Sequence, residues 1–363
     1  MSAADETHMA HALALAARGL GRTWPNPAVG CVITREGRIL GRGWTQPGGR
    51  PHAERRALDQ AGDAGGATAY VTLEPCAHHG QTPPCAEALI AARVHRVVSA
   101  MTDPDPRVSG KGHALLRAAG ISVTENVLSP QASRLNAGFL KRVTVGLPFV
   151  TLKLATTIDG RIATASGESR WITGGQARRY VHTLRLNHDA VLVGSGTACA
   201  DDPDLTARDI GAMHQPVRIL LDRTLAHRPD SRLGRSAHLH PVWIIHAPDA
   251  PGPAQQAWAE TGARLLPCPA PNNRLDLTAA LRLLAQQGLT RILCEGGGTL
   301  AASLMLENLV DDLIHLGAGK LIGADGTPAL GPLALPRLAK APTFALISHQ
   351  TLGSDTVSHW TRA

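Results

Sequence analysis

Residues 73–85 read Leu-Glu-Pro-Cys-Ala-His-His-Gly-Gln-Thr-Pro-Pro-Cys, and residues 52–54 read His-Ala-Glu. These two stretches supply an imidazole, two thiols and a carboxylate that follows the histidine by two residues. Zinc binds four ligands in proteins, and a catalytic zinc site keeps one position open for water. Three protein ligands beside an unliganded glutamate therefore favour a hydrolytic zinc centre, with His52, Cys76 and Cys85 as the ligands.

The same pieces occur in the signature of zinc-dependent nucleobase deaminases, in which a glutamate shuttles protons and does not bind the metal. Glu54 is the predicted proton shuttle. Eight residues separate the two cysteines here instead of two, so the match is to a variant of the signature. A structural zinc site or a chance cluster would use the same residue types, and His78 and His79 in the intervening loop are alternative ligands.

The spacing predicts that the site residues lie at helix starts. Residues two apart in the middle of a helix point in nearly opposite directions. We therefore expect His52 at the beginning of a helix, directly after Pro51, with Glu54 in the first turn. The two prolines before Cys85 favour another helix start. A thiolate at Cys85 would be stabilised there by the helix N-terminus.

The composition limits the class of protein. The chain has 363 residues, of which 44% are hydrophobic and 18% are charged, as expected for two globular domains. No apolar run is long enough for a membrane helix, the N-terminus lacks a signal-peptide pattern, and the six cysteines do not resemble a disulfide framework. We therefore expect a cytoplasmic protein that does not bind membranes.

The net charge of +7 suits phosphorylated small molecules and dinucleotides as well as nucleic acid. Aromatic residues make up only 3% of the chain, so there is little material for stacking bases. The arginines are also scattered rather than clustered. The expected partner is therefore a small phosphorylated ligand and not nucleic acid.

The predicted elements of the first domain, residues 1–146, alternate between strands and helices. The expected strands are 29–33, 38–41, 69–73, 96–100 and 121–123, and the expected helices are 5–20, 52–61, 84–92 and 112–119. Such alternation predicts an α/β sheet covered by helices on both faces. The metal residues fall at strand ends and helix starts, where open α/β sheets place their sites.

The pattern breaks around residues 136–148, and Gly146-Leu147-Pro148 predicts the boundary of a second α/β domain, residues 147–363. Its expected strands are 149–154, 190–193, 217–221, 242–245 and 291–294. Their nearly continuous apolar runs indicate buried, mostly parallel strands.

A second candidate site begins at Glu295, where residues 295–299 read Glu-Gly-Gly-Gly-Thr after a predicted strand and before a predicted helix. Glycines there let the backbone approach a phosphate, and the helix N-terminus supplies N–H donors. Gly296, Gly298 and Ala301 fit the dinucleotide form G-x-G-x-x-A, but the motif lies late in the domain and lacks the usual acidic partner. A plain tight turn is the alternative.

Other polar loops follow the strands of this domain, at residues 156–161, 166–173, 194–197 and 201–208. The carboxyl ends of parallel strands meet at one edge of a sheet, so these loops are expected to converge on one crevice. Arg185 and Arg208 suit phosphate recognition, because a guanidinium binds phosphate with two hydrogen bonds. Solvated loops and surface arginines are the alternative interpretation.

Motifs along nearly the whole chain resemble the bifunctional pyrimidine deaminase–reductases of riboflavin biosynthesis. The motifs are Thr23-x-Pro25-Asn26-Pro27-x-Val29-Gly30-Cys31-Val32, residues 52–54 and 73–85, Lys153-Leu154, Asp159-Gly160-Arg161, Ser166-Gly167-Glu168-Ser169-x-Trp171-Ile172-Thr173, Ala200-Asp201-Asp202-Pro203 and Glu295-Gly296-Gly297. Residues 223–275 are the least similar part.

The resemblance implies an α/β protein with an N-terminal cytidine-deaminase-like three-layer domain and a C-terminal dihydrofolate-reductase-like domain. The first would remove an amine from a ribosylated, phosphorylated diaminopyrimidinone with zinc, and the second would reduce the ribosyl group with NADPH. A homo-oligomer is expected. The implied cofactor positions are Ala155, Trp171, Thr197, Asp201, Gly297, Gly298 and Thr299, and the implied substrate positions are Ser169, Arg185, Leu205, Arg208 and Glu295. Asn26 is the predicted amide that reads the pyrimidine.

Two other functions remain possible from the residues alone. One is a nucleic-acid or free-nucleoside deaminase with an unrelated second domain, which the sparse aromatics and the glycine-rich second site disfavour. The other is a zinc-stabilised ligand sensor without activity, which Glu54 beside an open coordination position disfavours.

Overall fold

The protein is described by a computed structural model covering residues 2–78, 83–105, 108–212 and 214–363. The chain forms two compact units, Met1–Leu147 and Pro148–Ala363. None of the helices in these described ranges is both long and apolar enough to cross a membrane.

The first unit is a five-stranded sheet flanked by helices. Its elements are α1 (Ala3–Ala16), β1 (Gly30–Arg35), β2 (Arg38–Trp44), α2 (Ala53–Ala61), β3 (Thr68–Val71), α3 (Cys85–Ala91), β4 (Arg96–Ser99), α4 (Lys111–Ala118), β5 (Ser122–Thr124), α5 (Ser129–Leu135) and α6 (Ala137–Val145). The strand order is β2-β1-β3-β4-β5. The β1–β2 and β1–β3 pairs are antiparallel, whereas β3, β4 and β5 run parallel.

Glycines in β2 bring α2 unusually close to the sheet. A Cβ atom on Gly41 would lie 2.0 Å from the Ala57 carbonyl oxygen, and one on Gly43 would lie 2.1 Å from the Ala53 carbonyl oxygen. No larger residue fits at either position without moving the helix. This close packing fixes the beginning of α2, which carries the predicted zinc ligand His52 and the predicted proton shuttle Glu54.

The second unit contains a nine-stranded sheet. Its elements are β6 (Phe149–Thr157), β7 (Arg161–Ala163), α7 (Gly175–Leu186), β8 (Ala190–Gly194), α8 (Ser195–Asp201), β9 (Val217–Leu221), α9 (Arg232–Arg235), β10 (Val242–His246), α10 (Gly252–Glu260), β11 (Arg264–Pro267), α11 (Leu277–Gln286), β12 (Arg291–Cys294), α12 (Gly298–Leu306), β13 (Asp312–Ala318), β14 (Thr327–Pro328), β15 (Phe344–Leu352) and β16 (Asp355–Arg362).

The strand order of the large sheet is β11-β10-β9-β8-β12-β6-β13-β16-β15. The strands from β11 to β13 run parallel to their neighbours, and β16 and β15 pair antiparallel. The prediction of buried, mostly parallel strands is therefore confirmed. Strands β8, β12 and β6 are neighbours, so the polar loops that follow β8 and β12 lie at the same edge of the sheet.

Three features differ from the sequence-based expectations. Helix α2 begins at Ala53, and His52 is its extended N-cap residue instead of its first helical residue. Residues 137–145 form α6, although the pattern appeared to break there; Gly146, at a φ of 75°, ends this helix in the left-handed conformation. Strands β13, β15 and β16, which form the antiparallel end of the large sheet, are not among the expected strands.

Candidate functional site

The structure brings the three predicted zinc ligands together in the first unit. One ligand atom from each of His52, Cys76 and Cys85 lies within 4.8 Å of the others. The Nδ1 atom of His52 lies 3.3 Å from the Cys85 Sγ and 3.7 Å from the Cys76 Sγ. Ligand atoms of a tetrahedral zinc site lie roughly 3.5–3.8 Å apart, given bonds of about 2.1–2.3 Å to nitrogen and sulfur. The cluster therefore fits a zinc ion.

Helix starts hold two of these predicted ligands, His52 and Cys85, as the spacing predicted. Cys85 is the first residue of α3, directly after the N-cap residue Pro84. Its backbone N–H donates to the Cys76 Sγ over 3.3 Å. Hydrogen bonds from Cys85 and His52 lower the pKa of the Cys76 thiol to about 4, which favours the thiolate that binds metal.

Glu54 lies in the first turn of α2 and is only 3% exposed. Burial, and to a lesser degree the charge on the Cys76 sulfur, raises the pKa of the Glu54 carboxyl to about 7. A carboxyl group that titrates near neutrality can both accept and return a proton, which is the property required of a general acid–base catalyst.

A buried carboxylate that the sequence did not single out supports the cysteine loop. Glu74 is 4% exposed, and its two oxygens accept backbone N–H groups from four residues that follow β4. The donors are Asp103, Gly110, Gly112 and His113. Glu74 lies two residues before Cys76, so these hydrogen bonds fix the chain where it enters the zinc cluster. No sequence pattern predicts this role.

The sequence also suggests Asn26, His78 and His79 for the first site. Asn26 packs against Gly49, in the turn that precedes the predicted ligand His52. The packing is so close that a Cβ atom on Gly49 would lie 1.9 Å from the Asn26 amide nitrogen. Its side chain is partly buried. His78 is exposed, and His79 lies outside the described residues.

In the second unit, Glu295 is the centre of a buried charge cluster. Its carboxylate accepts two hydrogen bonds from Arg185, at 2.5 Å from Nε and 3.0 Å from Nη2. The Nζ atom of Lys153 on β6 lies 3.8 Å from the same carboxylate. Burial raises the pKa of Glu295, but Arg185 and then Lys153 more than offset this effect and lower the pKa to about 2.

The hydrogen-bond donors of Arg185 are therefore already used within the protein. Its Nη1 atom donates to the Thr206 carbonyl over 2.8 Å, in addition to the two hydrogen bonds from its other nitrogens to Glu295. Arg208 is more open: its side chain is 48% exposed, with one nitrogen 3.0 Å from the Thr206 hydroxyl. Of the two arginines expected to suit phosphate, Arg208 is thus the better placed for a ligand from solvent.

The loops after β8 and β12 meet, as their positions in the sheet predict. Gly297 is the N-cap residue of α12, and its N–H donates to the Thr197 hydroxyl on α8 over 2.9 Å. A Cβ atom on Gly196 would meet no atom within 4 Å, so a ligand can approach the main chain there. Helix N-termini offer N–H donors to phosphate. This arrangement fits the phosphate part of a dinucleotide.

The segment that carries Ser169 and Trp171 reaches the same region. Arg170 donates to the Asp201 carbonyl at the end of α8 over 2.8 Å. The Trp171 side chain is 61% exposed, with the Arg178 guanidinium 4.5 Å from its ring centroid. An exposed tryptophan beside polar loops suits contact with a ligand.

The other predicted positions of the second site are these. Gly298 and Thr299 form the first turn of α12, and Ala155 lies on β6, two residues after Lys153. Leu205 is 3% exposed and its side chain packs in the hydrophobic core. A substrate contact at Leu205 would therefore involve its main chain.

Asp159, a motif residue without a predicted role, forms hydrogen bonds with the backbone of the same domain. Its carboxylate accepts the N–H groups of Ile322 and Gly323 at 3.2 Å and 2.7 Å. It ties the end of β6 to the loop after β13.

Comparisons with known proteins match both parts of the chain. The model of the cytidine and deoxycytidylate deaminase zinc-binding region matches residues 2–101. The model of the RibD C-terminal domain matches residues 148–358. The riboflavin biosynthesis protein RibD of Escherichia coli is 44% identical over 372 aligned positions, covering 98% of each chain. Its counterpart from Aquifex aeolicus is 38% identical over 99% of this chain and 98% of its own.

Solved structures are also similar over the full length. A structure of Acinetobacter baumannii RibD is 38% identical with a TM-score of 0.89, covering 99% of both chains. The deaminase/reductase of Thermotoga maritima is 33% identical with a TM-score of 0.86, again over 99% of both chains.

Proposed function

We propose roles for the residues of both sites from one premise: the chain belongs to the bifunctional deaminase–reductase family of riboflavin biosynthesis. It deaminates 2,5-diamino-6-(5-phosphoribosylamino)pyrimidin-4-one and then reduces the ribosyl side chain of the product, giving 5-amino-6-(5-phospho-D-ribitylamino)uracil. The deaminase domain is zinc-dependent and the reductase domain uses NADPH. We assign deamination to residues 1–146 and reduction to residues 147–363.

His52, Cys76 and Cys85 are the proposed zinc ligands, and the distances between their ligand atoms support this role. Zinc bound there would supply an activated water, because coordination lowers the pKa of water to about 7. Glu54 would take one proton from the water and pass it to a ring nitrogen. It would then take the proton of the added hydroxyl group and deliver it to the departing amine, so that ammonia leaves as a carbonyl forms. Asn26 would orient the pyrimidine through its amide.

In the reductase, NADPH supplies the hydride, and the protein positions the sugar against it. We place the cofactor along Ala155, Trp171, Thr197, Asp201 and residues 297–299. The contact between Gly297 and Thr197 supports this placement, because it joins two of the loops involved.

Ser169, Arg185, Leu205, Arg208 and Glu295 are the proposed substrate residues. Arg208 would bind the phosphate, and Arg185 would keep the Glu295 carboxylate ionised and oriented towards the sugar. The bidentate contact between Arg185 and Glu295 carries this assignment. Lys153, whose ammonium lies 3.8 Å from the same carboxylate, would assist.

Removing zinc should separate the two reactions. In the presence of a mild chelator, we expect ammonia release from the diaminopyrimidinone to stop, whereas NADPH oxidation with the already deaminated substrate continues. The reason is that hydride transfer needs no zinc and the reductase residues lie in a separate compact unit. Added zinc should restore ammonia release. Equal loss of both activities would show that the metal supports the folding of the whole protein. Ammonia release from cytidine or RNA, but not from the diaminopyrimidinone, would contradict the assigned substrate.

Gly297→Val should weaken NADPH binding about tenfold or more, because a branched side chain blocks close approach to the helix N-terminus. A Cβ atom added at Gly297 would lie only 3.2 Å from the Thr197 hydroxyl oxygen. Fluorescence titration with NADPH measures the effect. Gly252→Val is the matched control, since it adds the same side chain at the start of α10, where a Cβ atom meets nothing within 4 Å. Unchanged affinity in folded Gly297→Val would remove this turn from the cofactor site.

We also propose that the protein acts as a homo-oligomer in the cytoplasm. Strand β15 lies at the edge of the large sheet, and most of its residues are exposed, including Leu346 and Ile347. A long exposed edge strand presents unpaired N–H and C=O groups that can pair with another chain. Light scattering of the pure protein tests this, with a monomer at working concentration as the contradicting outcome.

A further inference from the structure

Residues 204–208, here called the substrate loop, lie between α8 and β9. The loop carries Leu205 and Arg208, and its Thr206 carbonyl accepts a hydrogen bond from Arg185. Leu205 has a φ of 62°, in the left-handed region that leucine rarely adopts. Such a conformation persists where surrounding contacts hold it in place.

Gln215, just before β9, holds one end of the substrate loop. Its amide oxygen accepts the Ala207 N–H over 2.7 Å, and its amide nitrogen donates to the Ala207 carbonyl over 2.9 Å. The side chain therefore pairs with Ala207 as a neighbouring strand would. Both hydrogen bonds act on the residue directly before Arg208.

Arg218, on β9, holds the other end. The side chain is fully buried, and its Nη1 atom donates to the Asp204 carbonyl over 3.2 Å and to the Ser236 hydroxyl over 2.7 Å. Its Nη2 atom donates to the carbonyls of Ser236 and His240 over 3.1 Å and 2.6 Å. A buried guanidinium is costly unless its donors are satisfied. Both terminal nitrogens of Arg218 are satisfied, whereas its Nε atom has no hydrogen-bond partner among the described residues. Arg218 therefore joins the start of the loop rigidly to the segment before β10.

The Asp204 carboxylate connects this anchor to Arg208. One of its oxygens lies 4.0 Å from Arg218, and the other lies 3.6 Å from Arg208. The Arg208 guanidinium also contacts the Thr206 hydroxyl at 3.0 Å, so its direction depends on the conformation of the loop. Displacement of either end of the loop would move the arginine that faces solvent.

We propose that Gln215 and Arg218 are positioning residues that set the specificity of the reductase for a phosphorylated sugar. They hold the substrate loop so that Arg208 meets the phosphate monoester of the substrate. The inference rests on the proposed role of Arg208. Neither positioning residue touches the substrate; each acts through the main chain of the loop.

The test compares the full-length enzyme on two substrates, the deaminated ribosyl phosphate and the same compound after phosphatase treatment. The measured quantity is the ratio of kcat/KM between them. Gln215→Ala should lower this ratio about tenfold, the loss expected for two net hydrogen bonds. Arg218→Lys should lower it too, because lysine keeps the charge but cannot span several carbonyls. NADPH affinity and ammonia release should stay unchanged.

Two comparisons make the result specific. Gln256→Ala, at an exposed position on α10, is the matched control and should leave the ratio unchanged. In an Arg208→Ala background, Gln215→Ala should lower the ratio no further, because residues that act through one another are not additive.

The outcomes distinguish this inference from the function on which it rests. If Arg208→Ala leaves the ratio unchanged, the proposed phosphate contact fails. If Arg208→Ala lowers the ratio and Gln215→Ala does not, only the positioning role fails. Equal losses on both substrates, full additivity with Arg208→Ala, or loss of NADPH binding in Gln215→Ala would each overturn the inference, since each indicates a general structural role.

Discussion

Glu54→Gln should abolish ammonia release, with a loss of about 10²–10⁴-fold, while the protein keeps its zinc. The amide has nearly the shape of the carboxylate but cannot take up and return a proton. Zinc should remain because Glu54 is not among the three residues whose ligand atoms cluster. Parallel assays of ammonia release, NADPH oxidation and metal content by mass spectrometry measure the three effects.

Two further variants test whether the loss of ammonia release is specific to Glu54 and whether Cys76 binds the zinc. Glu36→Gln makes the same chemical change in the exposed turn between β1 and β2 and should be silent. Cys76→Ala should lose both zinc and ammonia release, because it removes a proposed ligand. Zinc lost from Glu54→Gln but retained by Cys76→Ala would show that the ligand assignment is wrong.

The zinc site was predictable from the sequence because its chemistry restricts the residue types and its geometry is local. Two of its proposed ligands lie at helix starts that the neighbouring prolines indicate, and the structure brings all three proposed ligands together. Glu74 was not predictable as a support, because its four donors lie on a distant segment and backbone N–H groups leave no mark in a sequence.

The reductase site was predictable only in part. The loops after β8 and β12 were expected to converge, and the hydrogen bond from Gly297 to Thr197 confirms that they do. The pairing of Arg185 with Glu295 spans 110 residues and depends on how α7 packs, so Arg185 looked equally suited to phosphate. The contact shows instead that most of its donors are used within the protein.

The missed strands have a different cause. Strand β15 is exposed along most of its length, and its apolar residues 344–347 are followed by the polar residues 348–351, so its sequence lacks the continuous apolar run that marks the parallel strands. Strand β13 alternates in burial, but Asp312 occupies a buried position and Leu313 a less buried one, so the apolar residues in its sequence do not alternate regularly. Hydrophobic periodicity detects elements with a buried face of apolar residues and misses those whose buried positions are polar or small.

Glu295→Ala should reduce NADPH oxidation with the deaminated substrate at least a hundredfold and destabilise the second unit by about 3–5 kcal/mol. The substitution leaves Arg185, whose side chain is 12% exposed, and Lys153, at 18%, without their buried counter-charge. Breaking such a pair from one side costs more than the pair itself contributes. Kinetic assays and thermal unfolding of the same preparations measure the two effects, and ammonia release should persist because Glu295 belongs to the other compact unit.

The pH dependence of stability identifies the charge as the cause. The pKa of Glu295 is lowered to about 2, so its contribution is fully present above the ordinary carboxyl pKa of 4.5 and is lost as the pH falls towards 2. Glu295→Gln should lack this component of the acid-induced loss. Glu307→Ala, an exposed change at the end of α12, should alter stability by no more than about 0.5 kcal/mol. A Glu295→Ala protein with normal stability and normal NADPH oxidation would exclude Glu295 from the reductase site.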